Sequence, residues 1–238
     1  MNYIPIFSTI ITIIFMFAVF YRFLQRRKIH LLLWSIGLLF YGLGTLMEAV
    51  LAFNFSTIAL KIWYFSGAML TAAWLGQGTF HLLIRKGKIA NLFTVFISVI
   101  SIIAIVLIIL APVTTAASTY DVTLPASEQY KDILTRDGAI IGLTIFLNLY
   151  GTVFLVGGAI YSAYLFWRKQ VLLNRVIGNV LIAGGALLPA TAGAFVKAGL
   201  VDWLYLSEFL GVILMYTGFI QATTKKESAR VSEPATTD

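Results

Sequence analysis

Seven stretches of about 20 residues, nearly free of charge, follow one another along this chain, each long enough to cross a hydrocarbon core of roughly 30 Å as a helix. They run over approximately 3–23, 31–53, 58–83, 89–111, 139–167, 177–199 and 204–222. Their hydrophobicity is continuous, whereas barrel strands alternate polar and apolar over about 10 residues, so helices are expected. Composition points the same way. Of 238 residues, 60% are hydrophobic and 11% charged, against roughly 25% charged in a soluble domain. The expected fold is all-α: a polytopic integral membrane protein with seven transmembrane helices. The first stretch has no basic residue before it and no small-residue cleavage site, so it reads as a retained helix rather than a secretion signal.

Charge orients the helices. Arg22, Arg26, Arg27 and Lys28 fall between the first two stretches; Arg85, Lys86 and Lys88 follow the third. Arg168, Lys169 and Arg175 follow the fifth, and Lys225, Lys226 and Arg230 follow the seventh. These are 13 of the 17 Lys and Arg, all on one side. The positive-inside rule then predicts an N-terminus outside and a cytoplasmic C-terminus. The net charge of +7 thus reports anionic lipid headgroups as partners, and no nucleic acid. Residues 1–222 read as one transmembrane domain with a single long external loop, 112–138, able to hold a short helix near Ser127–Leu134. Residues 223–238 read as a disordered cytoplasmic tail, too short for a catalytic domain.

Ionisable side chains inside membrane helices are functional candidates by default. Glu48 and Lys61 fall at similar depth on helices joined by a four-residue turn, Asn54–Thr57. Lys197 and Glu208 repeat the arrangement across the turn at Asp202 and Trp203. Two acid–base pairs near the outer leaflet are therefore expected. Each either clips its own helical hairpin or rims a common outward-facing cavity. A Schiff base on Lys197 lacks an acidic counter-ion on the third helix. Tyr41, Trp74 and Gln77 lie deeper and are expected to floor the cavity, since polar groups cannot face hydrocarbon cheaply. Ala68, Ala72 and Gly76 form a small-residue stripe that lets another helix approach. The fourth stretch is almost purely aliphatic and reads as lipid-facing.

No metalloprotease, nucleophile-elbow or phosphate-loop motif is present. There is no cysteine, and the two histidines, His30 and His81, are too few for an imidazole metal cluster. A haem held by both would need them brought together. No cofactor or metal is expected, and an enzyme is the weakest reading.

The run from Trp34 to Glu48 followed by Lys61-Ile-Trp63-Tyr64, together with Arg175–Pro189 and Glu208–Tyr216, resembles the seven-helix sensory region that precedes some bacterial histidine kinases. The resemblance implies a bacterial plasma membrane. With nothing kinase-like after Gln221, it also implies a detached sensory or accessory unit whose output needs a partner membrane or signalling protein. The expected function is a receptor-like or accessory protein that takes a small or lipidic ligand from the outer leaflet. A structural subunit and a small-solute transporter are the alternatives. Glu48, Lys61, Lys197, Glu208, Tyr41, Trp74 and Gln77 are the candidate ligand-binding residues, and none is catalytic.

Overall fold

The structure is a computed structural model that describes residues 3–84, 88–169, 173–197 and 202–224, with side chains described except at 190, 192–197 and 202. Long helices account for most of it: α1 (Ile4–Arg26), α2 (Ile29–Leu51), α3 (Thr57–Leu83), α4 (Ile89–Leu110), a short α5 (Ala126–Ile133), α6 (Gly138–Arg168), α7 (Leu173–Lys197) and α8 (Asp202–Thr223). Among the described residues the only strand-like pairing is an isolated bridge between Val113 and Leu134.

Six of these helices, α1, α2, α3, α4, α6 and α8, are long and apolar enough to cross a membrane, which makes the chain a multi-pass membrane protein. Seven were expected. The sixth stretch is helical over 25 residues, Leu173–Lys197, and among the described residues its apolar run covers Leu173–Pro189. Its glycines serve close packing. A Cβ on Gly178 would lie 2.6 Å from the Gly218 carbonyl oxygen, and one on Gly185 would lie 2.6 Å from that of Gly211. Only glycine permits this approach, so α7 and α8 form one tight antiparallel pair.

Start signals are local. Ser56 caps α3 by accepting the Ala59 amide, and Asp137 caps α6 by accepting the Ile140 amide at 2.8 Å. Two helices widen part-way along. α3 is π-helical over Tyr64–Leu70 and α6 over Val153–Gly157. At the first of these, the Thr71 amide and hydroxyl both donate to the Ser66 carbonyl five residues back, the spacing of a π turn. Glycines sit beside both segments. A Cβ on Gly44 would be 2.8 Å from the Gly67 Cα, and one on Gly76 would be 2.9 Å from the Gly151 Cα. The Ala68, Ala72 and Gly76 stripe faces α6 at this second contact.

One apolar core joins α2, α3, α4, α5 and α6, and a second joins α1, α2 and α8. α4 buries a narrow stripe of Ile97, Ile100, Ala104 and Ile108, and exposes Ile102, Ile103, Val106 and Ile109. In a soluble fold that exposed face would be a liability; against acyl chains it costs nothing.

Residues 111–137 fold back over one end of the bundle, called here the capped end. Thr114 and Thr135 amides donate to the Ile133 and Pro112 carbonyls. Ala126, Ile133 and Leu134 are buried. Tyr120 packs against Phe55 at 5.0 Å, and Tyr130 against Trp63 and Tyr64 at 5.4 Å each. The Arg136 guanidinium lies 4.7 Å over the Tyr130 ring, a cation–π contact that pins the end of the cap.

Candidate functional site

Beneath the cap lies a cavity of about 570 Å³, walled by α2, α3, α6, α7 and α8 and roofed by α5. Each wall contributes for a local reason. The π turn of α3 presents Gly67 and Ala68, leaving a gap that a regular helix with larger side chains would fill. The π turn of α6 places Leu155 and Val156 on the opposite side, and α7 supplies Ala186 and Pro189. The roof supplies Ser127, Tyr130 and Lys131.

Three of the expected ligand-binding residues line this cavity: Tyr41, Glu48 and Glu208. Tyr41 donates its hydroxyl to the Glu208 backbone carbonyl at 2.9 Å, tying α2 to α8. Glu48 is 2% exposed, and among the described residues no N–H or hydroxyl donor reaches either of its carboxyl oxygens. The group it meets is the Glu208 carboxyl, at side-chain hydrogen-bonding range, and one Glu208 oxygen is likewise buried without a donor. Ser127 adds a fourth buried, unpartnered oxygen at the roof.

This corrects the expected pairing. Glu48 faces an acid, not Lys61. Lys61 instead donates its ammonium to the Ile109 carbonyl at 2.8 Å. Ile109 lies in the last turn of α4, where carbonyls have no intrahelical partner and a cation is favoured by the helix dipole. Closeness in sequence across the α2–α3 turn placed the two residues at one depth but on different faces. The side chain of Lys197 lies outside the described residues, so the second expected pair is seen only from the Glu208 side.

Trp74 and Gln77 do not floor the cavity either. They point to the other face of α3, towards α4. Trp74 donates to Ser101 at 3.1 Å, and Gln77 donates to Thr94 at 2.8 Å and to the Ala90 carbonyl at 3.1 Å. Tyr150 of α6 donates to the Gln77 side-chain oxygen. Gln77 is fully buried and every polar atom of its amide is used. The histidines are also apart in role: His81 bonds Thr94 at 2.7 Å, and His30 packs edge-on against Trp34. Among the described residues no cluster of three or more His, Cys, Asp or Glu could hold a metal.

The roof residues Ser127, Tyr130 and Lys131, with Asn148 on α6, are the lining groups that sequence reasoning did not assign to the site. Asn148 donates to the Ala68 and Thr144 carbonyls, so its side-chain oxygen remains as an acceptor at the wall. In the cap, outside the membrane-spanning helices, burial pushes the Tyr120 hydroxyl up to about 12. It also raises that of Tyr130, against the opposing pull of the Arg136 charge. Both therefore stay neutral and act as donors at any physiological pH.

No protein-family model, no curated protein and no solved structure matches this chain.

Proposed function

We propose that this is a seven-span membrane protein with its capped end outside, which binds a small ligand in the cavity under the cap and acts through a partner chain. The observation that carries this reading is the pair of buried carboxyls lining a cavity without a donor. A buried polar group with no partner costs about 1–3 kcal/mol, more when charged. A chain that keeps two together at the wall of a space large enough for an organic molecule has a use for them. The distribution of Lys and Arg supports the orientation, and the likeness to histidine-kinase sensory regions supports a bacterial plasma membrane and a signalling partner.

The reading is tested with the full chain in mild detergent, screened for ligand-dependent thermal stabilisation by small polar and lipidic compounds. Ala186→Phe places a ring in the cavity and is expected to abolish the stabilisation. A compound that stabilises both proteins equally binds elsewhere. No cavity-dependent binder, together with a partner that co-purifies undiminished with Ala186→Phe, would replace this reading by that of a structural subunit. Orientation is tested separately: cysteine at Ser118 should react with an impermeant thiol reagent in intact cells, and cysteine at Lys28 should not.

A further inference from the structure

The chemistry of the cavity narrows what it can hold, granted that it binds a ligand at all. Two carboxyl groups facing one another in a low-dielectric space cannot both be ionised without a cation between or beside them. Among the described side chains the charged and titratable groups near the pair are Tyr41, Tyr120, Tyr205, Tyr130, Glu128 and Lys131. The tyrosines are neutral, and the cations nearby are Lys131, on the exposed roof, and Arg136, whose guanidinium is held over the Tyr130 and Tyr64 rings. The described side chains thus supply acceptors at depth and no cation placed between the two acids.

A bare metal ion is a poor match. Hard cations take about six or more oxygens; Tyr41 is committed to the Glu208 carbonyl and Thr45 to the Gly42 carbonyl and the Thr9 hydroxyl, and the Ser127 hydroxyl adds one free oxygen to those of the two acids. No third carboxyl joins the cluster among the described residues. The remaining walls are apolar and aromatic, with Trp63, Leu75, Leu155 and Met215. That combination suits a cation carried on an organic body, whose N–H groups reach the acids while its carbon surface meets the walls.

We propose that the Glu48–Glu208 pair binds the ammonium of an organic amine in exchange for a proton. In the empty cavity one proton is shared between the two carboxyls, giving the site a net charge of one negative unit. When a protonated amine enters, that proton leaves to water. The ammonium then donates to both carboxylates, and the buried net charge is unchanged. One cation replaces another, so the swap avoids the cost of creating new buried charge. Because the empty site holds a proton that the occupied site lacks, affinity rises with pH, by up to about tenfold per unit.

The test uses the purified full chain in a non-ionic detergent, titrated calorimetrically with benzylamine, 2-phenylethylamine and 4-phenylbutylamine, each against the matching alcohol. Buffers of different ionisation enthalpy report proton release. At least one amine is expected to bind with release of one proton, its alcohol at least about tenfold more weakly, since a hydrogen bond to a charged group is worth that much. Glu48→Gln and Glu208→Gln should each lose the pH slope. Infrared spectroscopy of the empty protein gives a check that needs no ligand: a carboxylic-acid C=O band at neutral pH, absent from one or both variants. Should the variants fail to fold, the wild-type band and its loss on amine addition carry the same decision. Alcohols binding as well as amines, without proton release, would overturn the amine assignment while leaving the ligand cavity standing. Failure of every amine to bind, or the absence of the acid band, also overturns it, and the Ala186→Phe screen then decides separately whether the cavity binds anything.

Discussion

Two buried polar clusters lie within this bundle and are finished differently. Between α3, α4 and α6, Gln77 gives both its amide hydrogens and accepts the Tyr150 hydroxyl, Trp74 bonds Ser101, and His81 bonds Thr94. Between α2 and α8, Glu48 and Glu208 meet each other, and among the described residues no donor reaches either Glu48 oxygen or one of the Glu208 oxygens. Both clusters pay the cost of removing polar groups from water. The first recovers it inside the fold and so holds helices together. The second does not recover it, and the difference separates a structural polar network from a site.

Substitutions at the closed cluster should be the most damaging. Gly76→Val forces a side chain into the Gly151 backbone and is expected to cost about 3 kcal/mol in denaturant unfolding, because backbone cannot yield as a flexible side chain can. A tolerated valine would mean that α3 and α6 can part. Gln77→Leu leaves Tyr150 and Thr94 to find new partners and should cost about 2 kcal/mol, part of it recovered when Tyr150→Phe is added. At the open cluster the sign reverses. Without ligand, Glu48→Gln should leave stability unchanged or raise it by up to about 1 kcal/mol at neutral pH, since an amide can donate to Glu208 and carries no charge. A large loss there would show that the acid pair is structural after all. Lys61→Met should shift stability by no more than about 0.5 kcal/mol and show no coupling to Glu48 in a double-mutant cycle.

The smallest effect belongs to the cap. Asp121 accepts the Thr123 amide at 2.8 Å and its hydroxyl at 2.6 Å, which holds its carboxyl below the usual range. The turn is therefore fully supported above the ordinary aspartate range and loosens as pH falls through the lowered folded value. A lower protection factor for the Thr123 amide in acid, after correction for the intrinsic exchange rate and with the rest of the cap unchanged, is the expected result.

The all-helical class, the apolar character of the long helices and the small-residue face of α3 were accessible from sequence because hydropathy and residue size are properties of single positions. Pairing was not. Glu48 was placed with Lys61 because the two are joined by a short turn, but rotation about each helix axis decides contact, and the π turn in α3 alters that rotation after Lys61. The same insertion helps explain why Trp74 and Gln77 face α4 when a regular helix drawn from Lys61 suggests the cavity. The loop residues Ser127, Tyr130 and Lys131 gave no signal of their own. Their place in the roof depends on Tyr130 packing against Trp63 and Tyr64, a long-range contact that no local pattern encodes.

The roof and the acid pair come from separate stretches of chain. The cap is a single continuous segment between α4 and α6, whereas Glu48 and Glu208 sit on α2 and α8. Mutations in one therefore leave the other's sequence untouched. A lineage could recast residues 112–137, and with them the size and polarity of what is admitted, while keeping the anchoring chemistry beneath. The same division offers a grafting experiment: caps of altered sequence, spliced between Ala111 and Gly138, would test the proposed roof while leaving Glu48 and Glu208 in place.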